Sequence, residues 1–424
     1  MSVSVAPAAK PGAVTLHVMD FALNTPDAQA RWAKEKSAFL QKYPEVTIQE
    51  DFTDDFSTKL PVLVASGTPP DVAPLRRQAE YPAFAPTGAV IDLSPFMARS
   101  KVLLKDDFYE STLTMQTIAN KLYAVPTTQN PFGLFYNKDL FDAQGVKYPD
   151  LTWDYQDWND AATKLNKYQA DKWDQVGGLM PSWWTVHYAG NHGWPMWQGG
   201  PTQPGVCTRV NYDQPGIVQT YQWYQGVVCK DHLSPSDDQT TKMKIDFTNG
   251  NVAMRFSYDS RSDYADKIKG NFKWDWILAP LGDKKTPRSE TTIGGGVAIF
   301  DLSKVKDVAW SYLEFTNNPA FLVEYVKANG ARNVYSNRKV QESPEYQASS
   351  VPPSDKKVLI EGINTGKFFP EPYWEMKALK IAVPSLPKGT PDPSSCGADA
   401  PSILAEQAKV DNQALTAHGI SVCQ

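Results

Sequence analysis

The sequence predicts an α/β protein with two domains. Short apolar strand patterns alternate with amphipathic helix patterns from Val14 onward, and a strand–helix–strand order favours a largely parallel sheet covered by helices. The chain has 424 residues, which exceeds what one ordinary hydrophobic core organises, so two domains of roughly 150–200 residues each are expected. Hydrophobic residues make up 42% of the chain, enough to fill such cores.

The alternation begins with a strand at Val14–Val18, a helix that starts at Thr25, and a strand at Val46–Gln49. Thr25 is a favourable N-cap, and Pro26 suits the first helical turn because its missing N–H has no helical partner there. Tryptophan, glycine and proline dominate residues 173–204, which predicts an irregular segment. Further helices are predicted at Lys59–Ser66, Asn137–Gln144, Asp154–Tyr168, Gly216–Val228, Val305–Thr316, Ala320–Ala328 and Ile403–Leu415, and further strands at Lys121–Val125, Gly133–Tyr136, Ile277–Pro280 and Gly296–Phe300.

Charge and hydropathy exclude two classes of partner. The formal net charge of −5 at pH 7 offers no general attraction to phosphate backbones, so no nucleic acid partner is expected. No run approaches the roughly 20 continuous apolar residues that a membrane-spanning helix needs. Residues 1–13 are rich in Ala, Ser and Pro and are expected to form a linker. An export signal, if the protein has one, is absent from this sequence.

The four cysteines are Cys207, Cys229, Cys396 and Cys423. They form two pairs that are each close in sequence, and this spacing predicts two local disulfides. The alternative is four unrelated thiols in a cytosolic protein, since no Cys-x-x-Cys motif or Cys/His cluster assigns them to metal or redox chemistry. Disulfides would place the protein in an oxidising compartment.

The motifs of the common enzyme classes do not occur in the sequence. None of the five histidines lies in a His-Glu-x-x-His motif or at the spacing that places two ligands on one helix face. The Gly-x-Ser-x-Gly and Gly-x-Gly-x-x-Gly motifs are missing as well. Adjacent acids such as Asp54 and Asp55 point apart, whereas glycoside hydrolysis needs carboxyl groups about 5–10 Å apart. We therefore expect no enzyme and no cofactor or metal, with a carbohydrate-active hydrolase or lyase as the alternative.

The most specific pattern is formed by Lys121–Pro126, Leu134–Phe141 and Thr152–Asp154. It resembles the extracellular solute-binding proteins of carbohydrate ABC importers, of the maltose-binding-protein type. Segments in the family's order and spacing are Ala65–Val72, Gly88–Leu93 and Phe247–Met254. The resemblance implies a type II periplasmic-binding-protein fold, with two α/β lobes, three interlobe crossings and a central ligand cleft that closes as a hinge.

The resemblance also implies how the chain is divided between the lobes. After the linker at 1–13, the N-terminal lobe is expected to comprise 14–123 and 297–332. The C-terminal lobe is expected to comprise 127–293 and 336–424.

Residues that match the family's ligand loops define the expected site. A sugar presents apolar C–H faces and a rim of hydroxyls, so a site needs aromatic rings and fixed polar partners. Residues 257–261 depart from the Gly-Ser-Trp-like family pattern, which leaves the stacking residue in that loop open. The resemblance implies the ligand-binding residues Asn24, Arg76, Gln78, Thr128, Gln129, Asn130, Trp183, Trp184, Tyr258, Asp259, Tyr373 and Trp374.

The function implied is that of a monomeric, non-catalytic receptor outside the cytoplasm, either periplasmic or lipid-anchored. It would capture a mono- or oligosaccharide and deliver it to the permease subunits of an ABC importer. Arg76, Arg77, Arg261 and Arg332 lie at or beside the expected cleft segments, and guanidinium groups bind carboxylate and phosphate well. An acidic sugar such as a uronate, or a glycerophosphate-type ligand, is therefore the alternative ligand.

Overall fold

The computed structural model describes residues 14–23, 26–76, 80–199, 207–258, 261–367, 376, 381–382 and 384–423. The expected linker at 1–13 lies outside these residues. The chain divides into two compact units. Unit 1 takes the described residues of Met1–Gln129, Gly294–Asn329 and Tyr335–Tyr346, and unit 2 takes those of Asn130–Ile293, Gly330–Val334 and Gln347–Gln424.

The strands are short apart from three of eight to ten residues. They are β1 (Val14–Phe21), β2 (Val46–Thr53), β3 (Val72–Arg76), β4 (Thr117–Ile118), β5 (Lys121–Leu122), β6 (Val125–Pro131), β7 (Gly133–Asn137), β8 (Lys167–Gln169), β9 (Lys172–Gln175), β10 (Trp197–Gln198), β11 (Arg209–Val210), β12 (Met254–Ser257), β13 (Trp274–Leu278), β14 (Glu290–Ile299) and β15 (Gly366–Lys367).

The helices range from single turns to about five turns. They are α1 (Pro26–Lys42), α2 (Phe56–Ala65), α3 (Glu80–Phe84), α4 (Ser94–Arg99), α5 (Glu110–Met115), α6 (Lys138–Gln144), α7 (Tyr155–Leu165), α8 (Trp184–Asn191), α9 (Pro215–Gln225), α10 (Asp237–Met243), α11 (Arg261–Ile268), α12 (Lys306–Thr316), α13 (Pro319–Asn329), α14 (Arg338–Gln341), α15 (Pro344–Gln347), α16 (Lys357–Thr365) and α17 (Ala400–Ala417).

Unit 1 is built on a sheet in which β1 pairs in parallel with both β2 and β3. Successive side chains of a strand point to opposite faces, and both faces of β1 are covered. Leu16 and Val18 join one buried cluster with Phe39 of α1, while Met19 joins another with Phe56 of α2. The predicted parallel arrangement is confirmed for these three strands. Strand β14 pairs antiparallel with β3.

Unit 2 contains a three-stranded antiparallel sheet with β7 between β12 and β13. The register pairs Ser257 of β12 with Gly133 of β7. Because neighbouring residues of paired antiparallel strands also lie side by side, this register brings Tyr258 next to Phe132. Gly133 has no room for a side chain, since a Cβ there would lie 2.3 Å from the Trp276 ring.

The cysteines pair as Cys207–Cys423 and Cys229–Cys396, with Cα–Cα distances of 5.0 and 5.5 Å. The prediction of two disulfides is confirmed, but the prediction that each is local is wrong. Each bridge joins one of Cys207 and Cys229 to one of Cys396 and Cys423.

The return of the chain after α17 explains the pairing of Cys207 with Cys423. Thr208 and Val422 form a parallel β-bridge, in which the Thr208 N–H donates to the Ser421 carbonyl at 2.8 Å. The Val210 N–H donates to Asn412 Oδ1 of α17 at 2.9 Å. These long-range contacts, which sequence spacing does not reveal, bring Cys207 to Cys423, and the remaining two cysteines form the second bridge.

Residues 335–346 belong to unit 1, whereas the residues from 336 onward are predicted to lie in the second lobe. Tyr335 forms an antiparallel bridge with Thr128. Ser336 donates its N–H to the Thr127 carbonyl at 3.1 Å and accepts from the Tyr109 N–H at 3.2 Å. This backbone pairing holds the segment in unit 1.

Two predicted elements also differ in extent. The helix expected over Asp154–Tyr168 ends at Leu165, because the chain then enters the β8–β9 hairpin, with Ala170 and Asp171 at positive φ in its turn. The segment expected to be irregular contains helix α8, of which all but one residue are buried.

Candidate functional site

Five rings pack together in unit 2 and form what we call the aromatic cluster: Phe132, Trp183, Trp184, His187 and Tyr258. Phe132 lies at its centre. Its ring centroid is 5.9 Å from that of Trp183 and 6.2 Å from that of Tyr258, both edge-on. The His187 imidazole stacks on Phe132 at 3.8 Å. Such offset and edge-to-face contacts are the favourable geometries for aromatic pairs.

Two members of the cluster are exposed although they are large. Trp183 is 42% exposed and Tyr258 is 46% exposed, and they are the only strongly exposed Phe, Trp or Tyr side chains among the residues that the structure describes. Exposed apolar side chains that are grouped on one cluster are a feature of binding surfaces, whereas singly scattered ones are ordinary. Unit 2 therefore presents two exposed rings that both contact Phe132.

Trp184 belongs to the buried part of the aromatic cluster and is not exposed with Trp183 and Tyr258. It is fully buried, its Nε1–H donates to the Tyr155 hydroxyl at 3.1 Å, and its ring stacks on Phe256 at 4.4 Å. Trp183 precedes it at the N-cap position of α8. The two neighbours point in different directions, because successive helical residues are rotated by about 100°.

The cluster carries no charge. Burial lowers the pKa of His187 to about 3, because the protonated imidazole is poorly solvated there, and the ring is neutral at physiological pH. His187 Nδ1 is buried and has no hydrogen-bond partner in the described part of the chain. A neutral aromatic surface suits an uncharged ligand better than an ionic one.

Asn130 lies two residues before Phe132, at the end of β6. Its Oδ1 is buried without a hydrogen-bond donor among the described residues. A buried acceptor in this state destabilises a protein by about 1–3 kcal/mol. A donor from a bound ligand would remove that penalty, which makes Asn130 the polar candidate beside the rings.

Three predicted site residues of unit 1 lie in the described part of the chain, and one of them, Arg76, is already bound by its neighbours. The Arg76 Nε–H donates to Glu80 Oε2 at 2.9 Å, and Nη2 contacts both Glu80 and the Ser57 hydroxyl, the latter at 2.8 Å. Glu80 is buried. Thr128 is held in its bridge to Tyr335, and Gln129 is buried. Unit 1 therefore offers an Arg76 whose charge is balanced by a carboxylate.

Two of the other arginines proposed for an acidic ligand, Arg261 and Arg332, are engaged as well. Arg332 binds Asp266 through both terminal nitrogens, at 2.7 and 2.8 Å, and this pairing lowers the pKa of Asp266. Arg261 is fully buried, and its Nη1 donates to the Pro352 carbonyl at 2.6 Å. Each guanidinium is thus used within unit 2.

Several predicted residues lie outside the described part of the chain, and the structure does not place them. They are Asn24, Arg77, Gln78, Asp259, Tyr373 and Trp374. The structure brings together Trp183, Trp184 and Tyr258, and it adds Phe132 and His187. The sequence signal for Phe132 is its position in the short gap before Leu134–Phe141, a segment of the pattern that resembles the family.

Two features are absent from the part of the chain that the structure describes. No three His, Cys, Asp or Glu side chains lie together in a way that could hold a metal ion. No helix there has both the length and the apolar character needed to span a membrane.

Comparisons with solved structures give the fold. The chain is similar to the sugar-binding protein MalE from Xanthomonas citri, with a TM-score of 0.72 and 17% identity over 96% of this chain and 98% of that one. It is also similar to an ABC substrate-binding protein from Listeria monocytogenes solved with cycloalternan, with a TM-score of 0.70 and 17% identity over 95% and 99% of the two chains. The two-lobed α/β fold is therefore confirmed.

Sequence comparisons agree with the fold. A relative from Brucella abortus is 22% identical over 331 residues, which is 77% of each chain. The family model described as "Bacterial extracellular solute-binding protein" matches residues 23–320, well over half of the chain, and this confirms the resemblance noted in the sequence. The chain belongs to the family of bacterial extracellular solute-binding proteins.

Proposed function

We propose that this protein is the substrate-binding receptor of an ABC importer and that it captures a neutral mono- or oligosaccharide. The observation that carries the proposal is the pair of exposed rings, Trp183 and Tyr258, on an uncharged aromatic cluster. Pyranose rings present apolar C–H faces that stack on such surfaces. Similar chains were solved with cycloalternan, with acarbose and with maltotriose, which supports an oligosaccharide.

The polar part of the proposed site begins with Asn130. Its unpaired Oδ1 would accept a hydrogen bond from a sugar hydroxyl, which a neutral glycan supplies at every ring. Of the other expected contacts, Thr128 and Gln129 come from unit 1. The remaining proposed contacts rest on the family resemblance, and they are Asn24, Gln78, Asp259, Tyr373 and Trp374.

In the proposed mechanism the two lobes close on the sugar as a hinge. Ligand favours the closed state because both lobes contact it only there. The closed form then delivers the sugar to the membrane permease. We place the receptor outside the cytoplasm, either periplasmic or lipid-anchored, as a monomer, and its two disulfides suit an oxidising compartment.

An acidic ligand is the less favoured alternative. It would need free guanidinium groups, but Arg76, Arg261 and Arg332 are bound by Glu80, by the Pro352 carbonyl and by Asp266. The alternative of another class, a hydrolase or lyase, predicts turnover of the glycan. Chromatography of an oligosaccharide incubated with the protein distinguishes the two classes, since a receptor returns it unchanged.

The test begins with a thermal-shift screen of neutral oligosaccharides, uronate oligomers and glycerophosphodiesters. A ligand at 100 times its dissociation constant stabilises the protein by about 2.7 kcal/mol. For the best neutral oligosaccharide, Trp183→Ala is expected to weaken binding by about 1–3 kcal/mol, measured by calorimetry, because it removes one stacking face.

Two control variants accompany this experiment. Trp183→Phe retains a ring and should keep most of the affinity, whereas Leu302→Ala removes an exposed apolar side chain of unit 1 and should change nothing. Unaltered affinity in Trp183→Ala would remove the aromatic cluster from the site. A response only to acidic ligands would overturn the neutral-sugar proposal.

A further inference from the structure

Unit 2 contains a cavity of about 540 Å³ that shares no residue with the aromatic cluster. Its walls come from α9, from α17 and from the proline-rich segment 384–393. The volume lies in the range of small-molecule sites. The cavity therefore has room for a ligand of its own.

A buried carboxylate lies in this cavity. Asp411 of α17 lines it and is only 2% exposed. Its Oδ1 accepts a hydrogen bond from Gln407 Nε2 at 2.8 Å. No described residue forms an ion pair with Asp411, and its burial raises its pKa to about 6. The carboxylate is thus charged at neutral pH without a cation to balance it, an arrangement that is unfavourable unless a partner binds.

The rest of the lining favours a positively charged partner. Tyr212 and Tyr221 contribute aromatic rings, and Asp392 adds a second carboxylate on the exposed side. No lysine or arginine occurs among the described lining residues. Aromatic faces and a carboxylate together form the usual surroundings of an organic ammonium group.

The proline-rich wall is held in place, so the cavity is formed before any ligand binds. Gln407 Nε2 also donates to the Pro384 carbonyl at 3.2 Å. At the other end, Gln225 Nε2 of α9 lies 3.0 Å from the Pro393 carbonyl, and Cys229 bonds to Cys396. A preformed site loses less conformational entropy when it binds.

We propose that this cavity is a second ligand site, and that it takes a small organic cation whose ammonium group pairs with Asp411 while its carbon skeleton lies against Tyr212 and Tyr221. The site lies within unit 2 and is independent of the proposed sugar site.

The experiment uses benzylammonium as the probe and benzyl alcohol as its neutral counterpart. Binding to the full protein is measured by calorimetry at pH 7.5. Benzylammonium is expected to bind at least about tenfold more tightly than benzyl alcohol, because a desolvated charge pair adds affinity that the hydroxyl cannot supply. Asp411→Asn should abolish that difference, while Asp238→Asn, which removes an exposed acid elsewhere, should preserve it.

Asp411→Asn keeps the acceptor for Gln407 and is expected to fold, which near-ultraviolet circular dichroism verifies. Thr390→Trp provides a second variant, since Thr390 is an exposed lining residue and a bulky ring there would fill the entrance. It should weaken benzylammonium binding without touching Asp411. Equal binding of the two probes, absence of benzylammonium binding, or undiminished binding in both variants would overturn the proposal.

Discussion

Unit 1 and unit 2 are stabilised in different ways. In unit 1, apolar clusters cover both faces of a sheet whose strands reach eight residues. In unit 2, the sheet around β7 has only three short strands, and both disulfides lie in this unit. Unit 2 also buries Lys356, Arg261 and Asp411. Both units bury many apolar side chains, and unit 2 adds covalent bridges to its core.

The largest expected change in stability that tests this difference between the units comes from removing a disulfide bridge. Replacing Cys207 and Cys423 by serine should lower the free energy of unfolding of unit 2 by about 2–5 kcal/mol, because the bridge closes a loop with a sequence separation of 216 residues. Hydrogen exchange read peptide by peptide separates the two units. If β1 and β2 of unit 1 lose as much protection as unit 2, the proposed difference between the two units is wrong.

The next effect concerns a buried ammonium group. Lys356 Nζ donates to the carbonyls of Ser349, Val351 and Pro353, at 2.9, 2.6 and 2.6 Å. Lys356→Met keeps the length of the side chain but leaves these carbonyls without their donor, so unit 2 should lose roughly 3 kcal/mol in denaturant unfolding.

The neighbouring residue provides the control. Lys357 is exposed, and Lys357→Met should change stability by less than about 0.5 kcal/mol. If both variants behave alike, the carbonyl contacts of Lys356 do not stabilise unit 2.

A smaller, pH-dependent effect comes from Asp411. Its pKa is about 6 in the folded protein against 3.8 ordinarily, so the folded state binds more protons than the unfolded state between these values. Stability contributed by this residue is therefore present below pH 4 and is lost as the pH rises through 6. Between pH 4 and pH 8 the free energy of unfolding of Asp411→Asn should rise relative to that of the wild type, and the difference should reach roughly 2–3 kcal/mol by urea unfolding. Asp238→Asn should show no such pH dependence.

The smallest expected effect concerns Arg332. Because Asp266 holds its guanidinium through two hydrogen bonds, Arg332→Gln should change the affinity for a neutral oligosaccharide by less than about twofold. If calorimetry shows a loss of affinity of tenfold or more, Arg332 contacts the ligand, and this result would favour an acidic ligand.

The sequence was sufficient for elements whose ends carry local signals. Asn137 caps α6 by accepting from the Asp139 and Leu140 N–H groups, and Gly145 ends it at a φ of 62°. The sequence pattern predicts both of these residues as helix ends, and it also predicts the Asp154 cap of α7. The fold class followed from such signals and from the family resemblance.

The sequence was insufficient where distant segments meet. The partner of Cys207 depends on the backbone pairing of Thr208 with Val422, which no spacing rule reveals. The different environments of Trp183 and Trp184 depend on the start of α8 and on Tyr155. The ion pair of Arg76 with Glu80 joins the end of β3 to the start of α3, where the helical i, i+4 rule does not apply.

The connectivity of the bridges has a consequence for export. A chain that crosses a membrane from its N-terminus exposes Cys207 and Cys229 to the oxidising side while Cys423 and Cys396, 216 and 167 residues behind them, are still inside. The first cross-link open to such a chain is then the non-native pair of neighbours, which thiol–disulfide exchange would have to reshuffle. Supply of an isomerase, more than oxidising power, would limit the yield of correctly bridged protein.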